Sequence, residues 1–128
     1  MSIQHDALIV LTTGKQDRGA RATLAFSWAC SALALGKKTA LFLTMDGTVW
    51  ALDGAASGVQ VQGFEPLDNY IETFRSLGGQ ILVCAPCSEY YCSLPRRGAR
   101  VPLTEGAELA GLATVVAAAG SSCTVVTF

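Results

Sequence analysis

A chain of 128 residues has the size of one domain and is long enough to bury a hydrophobic core without disulfide staples. With 51% hydrophobic and only 15% charged residues it is not a disordered chain, and a net charge of −1 supplies no basic patch for nucleic acid. So little charge suits strands buried on both faces, or contacts between subunits.

The start, Met1 to Asp6, is short and polar and does not read as a signal peptide. Ala7 to Leu11 is a continuous apolar run, suited to a strand buried on both faces. Thr12, Thr13, Gly14 and Lys15 form a polar loop, and Asp17 is placed to cap a helix with its carboxylate. Arg18 to Leu35 is rich in Ala and Leu and predicts that helix, with Leu24, Trp28 and Leu35 on one stripe and Ala32 between, and Gly36 as its stop. The longest apolar stretch, Ala22 to Gly36, falls short of the roughly twenty residues a membrane span needs. A cytoplasmic location is therefore the expectation.

Lys38 to Leu43 predicts a second strand, followed by Thr44 to Gly47 as a tight turn in which Gly47 takes a positive φ. Asp53 to Gly63 reads as a long mobile loop. Pro66 to Leu77 predicts a helix with Leu67, Tyr70, Ile71 and Phe74 on one side, stopped by Gly78-Gly79. Gln80 to Cys84 is a third strand. Pro86 to Leu94 has room for one or two helical turns, Leu109 to Ala119 for a small helix after a short strand near Ala107, and Cys123 to Phe128 for a last strand. Apolar strands alternating with helices predict a single α/β domain over residues 1–128. Its architecture is three layers, α/β/α, around a mostly parallel sheet of about five strands.

Functional groups in such sheets gather beyond the carboxyl ends of the strands. Three loops qualify: Thr12 to Asp17, Thr44 to Gly47, and Cys84 to Cys92. The last holds three of the five cysteines, Cys84, Cys87 and Cys92. Cys84 closes an apolar strand before a helix start, where backbone amides favour the thiolate, and a thiolate is a nucleophile. Cys87 is an auxiliary candidate and Cys92 a weaker one. A zinc site is disfavoured, because a single Cys-x-x-Cys pair lacks its second half and His5, Cys30 and Cys123 lie elsewhere. A thioredoxin-like dithiol at Cys84 and Cys87 stays open as chemistry, although the motif follows the third strand and Val83 rather than an early strand and an aromatic residue. Gly14-Lys15 lacks the phosphate-loop pattern, which leaves Lys15 as a source of positive charge near the site. His5 reads as a solvated residue, and Tyr90, Tyr91, Arg96 and Arg97 as an exposed loop or an adjunct to the cysteines.

Taken together, several segments resemble the DsrE/DsrF-like group of small sulfur-relay proteins. They are the Thr12-Thr13-Gly14 loop, the Ala-rich stretch from Ala20 to Gly36, the strand and turn from Ala40 to Gly47, and the strand Gly79 to Cys84 ending in its cysteine. The resemblance implies a parallel sheet flanked by helices, assembly into trimers or hexamers, and a cysteine, mapping onto Cys84, that carries sulfane sulfur as a persulfide. Cys87 and Cys92 are additional to that pattern. A neighbouring thiol can attack a persulfide, pass its sulfur on, or protect the first thiol from over-oxidation. The reading is a sulfur carrier or sulfurtransferase with sulfur-donor and sulfur-acceptor proteins as partners and no metal or organic cofactor. A thiol–disulfide redox module and a non-catalytic oligomeric binding protein are the alternatives.

Overall fold

The computed structural model describes residues 4–88 and 103–128. Their centre is a five-stranded sheet of β1 (Ala7–Leu11), β2 (Thr39–Leu43), β3 (Gln80–Cys84), β4 (Ala107–Ala110) and β5 (Thr124–Thr127), in the order β4-β3-β2-β1-β5. All four pairings are parallel, so every strand ends at the same edge. The apolar runs lie where the sequence predicts, because a strand covered on both faces needs no polar alternation.

Alternate residues of each strand serve different layers. Ala7, Ile9, Leu11, Leu41, Leu43, Ile81 and Val83 join one core cluster with α1 (Ala20–Ala34) and α2 (Leu67–Ser76). Leu8, Ala40, Phe42, Leu82 and Cys84 face the other way, toward Ala110 and Val115 of α4 (Leu112–Ala119). A short helical turn, α3 (Ala85–Cys87), follows β3 directly. The three-layer α/β/α architecture with a parallel sheet is therefore as the sequence predicts.

Several local expectations change. The large residues Leu24, Trp28 and Leu35 of the α1 region stay exposed, and the helix buries Ala22, Ala25, Phe26, Ala29 and Ala32 instead. Small residues let the helix backbone lie close to the sheet, and Phe26 fills the remaining space edge-on to Phe74. Asp17 does accept amide hydrogens, from Gly19 at 3.1 Å and Arg21 at 2.9 Å. It does so from a separate 3-10 turn, however, and Gly19 is the capping residue of α1. The region after β2 is more ordered than a loose loop. A 3-10 helix spans Met45–Ala51, and Ala56 packs into the core. His5 is buried, not solvated, and its amide donates to the Ala118 carbonyl at 2.8 Å. No helix among the described residues is long and apolar enough to cross a membrane.

Candidate functional site

The carboxyl edge of the sheet brings the predicted loops together. Register pairs Leu43 with Val83, so the next residues, Thr44 and Cys84, leave their strands side by side. Cys84 points to the α4 side of the sheet and is 2% exposed. The α3 turn then carries Cys87 back over the strand end, half-buried against the same cluster. Thr44 Oγ1 lies 3.4 Å from Cys87 Sγ. The Cys87 thiol also reaches the Met45 thioether, with Sγ 3.9 Å from Sδ.

Burial raises the Cys87 thiol, but hydrogen bonds from the Thr44 and Cys84 side chains and the Met45 backbone outweigh it. The pKa falls below the ordinary thiol value. The other cysteines contrast with it. Burial, and secondarily Glu65, pushes the Cys30 thiol up to about 11, and its Sγ donates to the Tyr70 carbonyl at 3.3 Å in the helical layer. Burial, and then Asp6, raises Cys123, which stands just before β5 at the opposite edge. Cys30, Cys84, Cys87 and Cys123 are all free thiols.

The loop after β2 lies where the sequence places it, but its conformation differs from the expected turn. Met45 has a φ of 52°, a left-handed conformation that costs an L-residue with a side chain roughly 1–2 kcal/mol. Gly47, predicted to carry the positive φ, does not. It is needed for a different reason: a Cβ there would lie 2.1 Å from the Leu11 carbonyl oxygen. That contact lets the Gly47 amide bond Thr12 O at 3.1 Å and Thr44 O at 2.9 Å. Thr48 Oγ1 donates to the Met45 carbonyl at 2.9 Å, and the Gln16 side-chain amide donates to the Asp46 carboxylate. The loop is thus fastened to β1 and presents Thr44 and Met45 to Cys87.

Lys15 is engaged elsewhere: its Nζ sits 5.8 Å from the centroid of the Trp50 ring. The indole of Trp50 in turn donates to Thr13 O at 2.9 Å. Tyr90, Tyr91, Cys92, Arg96 and Arg97 lie outside the described residues. A cavity of about 670 Å³, lined in part by His5, Lys37, Lys38 and Gln80, opens at the amino edge, the far end of the sheet from the thiols. The chemistry-bearing residues are at the carboxyl edge, which is where open α/β sheets hold their ligands.

Comparisons with known proteins agree with this architecture. The chain is 32% identical over 110 residues to "Uncharacterized protein MJ0760" of Methanocaldococcus jannaschii, an alignment covering 85% of this chain and 38% of that protein. It therefore spans well under half the length of that curated relative. The crystal structure of YchN from E. coli shares the fold, with a TM-score of 0.70, 17% identity and full coverage of both chains. The DsrE/DsrF-like family model matches residues 6–128, and on that match the chain belongs to the DsrE/DsrF-like family.

Proposed function

We propose that this chain is a sulfur carrier or sulfurtransferase that passes sulfane sulfur, as a cysteine persulfide, between protein partners in the cytoplasm. Family membership supports a role related to sulfur relay. The observation that carries the finer reading is the paired thiol at the carboxyl edge. Cys87 is half-buried with its pKa lowered, and Cys84 lies buried three residues before it in the cluster against which Cys87 packs. The Cys87 thiolate attacks the outer sulfur of a donor persulfide. A new S–S bond forms to Cys87, the donor's S–S bond breaks, and the donor leaves as a thiolate. An acceptor thiolate repeats the step on the Cys87 persulfide and restores the Cys87 thiolate. Cys84 has two uses in this scheme. It can take the outer sulfur from Cys87 and store it in a water-poor position, as the sequence assignment to Cys84 requires. Alternatively it attacks the inner sulfur, leaving a Cys84–Cys87 disulfide and releasing hydrosulfide.

Intact mass after incubation with a persulfide donor tests the proposal. The parent should gain about 32 Da, one sulfur atom. Cys87→Ser should lose most of the gain, and Cys84→Ser should still load, retaining less if Cys84 stores the sulfur and more if Cys84 releases it as hydrosulfide. No gain on the parent would refute the carrier reading, and full loading of Cys87→Ser would refute the entry role of Cys87. The packing of the two thiols in one cluster also favours a second reading, a thiol–disulfide module, in which either serine variant abolishes activity. Exposed apolar residues on α4, Leu112 and Val116, support assembly into a homo-oligomer, a trimer or hexamer.

A further inference from the structure

We infer that Met45, Cys87 and Cys84 form a binding site for monovalent copper, a property separate from sulfur transfer and resting on the arrangement of three sulfur atoms. The first observation is composition: the adjacent ends of β2 and β3 carry two thiols and a thioether, and soft sulfur donors of this kind select Cu(I) over harder ions. The second is spacing. Metal–thiolate bonds of about 2.3 Å place trigonal sulfur ligands roughly 4 Å apart. Cys87 Sγ and Met45 Sδ are already 3.9 Å apart, and Cys84, three residues before Cys87, belongs to the buried cluster against which Cys87 packs. The third is backbone strain. Met45 is held in the left-handed region, beside the thiols, by the Gly47 and Thr48 contacts to the loop. Strain of this kind persists where the surroundings over-determine it, and it clusters at ligand sites.

Exposure fits a ligand that arrives from solution. Met45 is 50% exposed, Cys87 is half-buried and Cys84 is closed off, so the three sulfurs run from the surface inward. Among the described residues no three His, Cys, Asp or Glu side chains converge as a metal-binding group, so the two thiols fall short of a structural zinc donor set. Cu(I) does not need four ligands here. Each ligating thiol gives up its proton to solvent as its sulfur–copper bond forms, the thioether binds without proton loss, and no electron is transferred.

The test is anaerobic titration of the reduced full chain with Cu(I) against a coloured Cu(I) chelator, with Zn(II) titrated in parallel. The parent should withdraw one Cu(I) per chain. Met45→Leu, which keeps the size and exposure of the side chain but removes its sulfur, should weaken binding roughly tenfold, and Cys87→Ser should weaken it by a hundredfold or more. The double variant Cys30→Ser/Cys123→Ser should bind as the parent does. X-ray absorption on the loaded protein should show sulfur neighbours only. Failure of the parent to compete with the chelator would overturn the inference, as would unchanged affinity in Met45→Leu or Cys87→Ser, or preference for zinc. Because the readout involves no persulfide, a negative result leaves the sulfur-loading experiment standing, and a failure to load sulfur leaves copper binding standing.

Discussion

At Cys87 a single hydroxyl has a measurable consequence. Thr44 bonds the sulfur at 3.4 Å, and that bond helps hold the thiol below its ordinary pKa. Below the pKa, each unit of downward shift multiplies the thiolate fraction about tenfold at a given pH. Alkylation of Cys87 should therefore rise with pH and level off earlier than for an ordinary thiol. Thr44→Val removes the hydroxyl at nearly constant volume, so it should move the profile to higher pH and slow labelling at neutral pH by roughly threefold to tenfold. Peptide mapping after limited alkylation checks both points, and an unchanged profile in Thr44→Val would remove the hydrogen bond from the account. Cys30 provides the internal control: with its thiol pushed up to about 11 it should stay unlabelled while Cys87 reacts. The sequence singles out Cys84 because it closes an apolar strand before a helix start. Cys84 ends the strand, yet a strand end on the α4 side of the sheet is a buried place, and the residue one turn later reaches the surface. Burial of one cysteine and exposure of its neighbour depend on which layer a strand residue faces, which a short apolar run does not reveal.

At the scale of elements, strands were legible and connections were not. β1, β2 and β3 are unbroken apolar runs, and the pattern requires only that both faces be covered. α1 was harder to read, because its large apolar residues lie outside and its alanines inside, the reverse of what a stripe of Leu and Trp suggests. The loop after β2 was misread for a reason that concerns space rather than φ. Gly47 serves close approach to Leu11, and the positive φ falls on Met45. Gly47→Ala must therefore separate the loop from β1 or distort both, at a cost of about 1–3 kcal/mol, as for other overpacked sites. The melting temperature should drop, and Cys87 alkylation at neutral pH should slow, because Thr44 moves with the loop. A variant as stable as the parent, with unchanged alkylation, would show that the close approach to Leu11 is not needed. Ala56, buried beyond the 3-10 helix, makes the same point: with Ala55 and Val59 it ties a Gly-rich segment to the core through small apolar contacts that composition hides.

Among the described residues the two layers are unequal. α1 and α2 cover one face of the sheet, while α4 is the helix found on the other among the described residues. Within α4 only Val115 is buried; Leu112 and Val116, one turn apart, face outward, as do Leu109 on β4 and Val125 on β5. An apolar helix face of this kind is expensive to leave in water, at roughly 25 cal/mol for each Å² of apolar surface. A second copy of the chain, itself carrying the same face, can cover it by a self-complementary contact. Light scattering at micromolar concentration should accordingly give a multiple of 13.3 kDa. Val116→Asp places a charge on the exposed turn without touching Val115 or the thiols, so it should lower the mass toward one chain while leaving the fold and Cys87 alkylation intact. A parent that scatters as a 13.3 kDa monomer would refute assembly. A Val116→Asp variant that stays fully assembled would move the interface off α4, to the exposed Trp28 and Leu35 on the opposite layer.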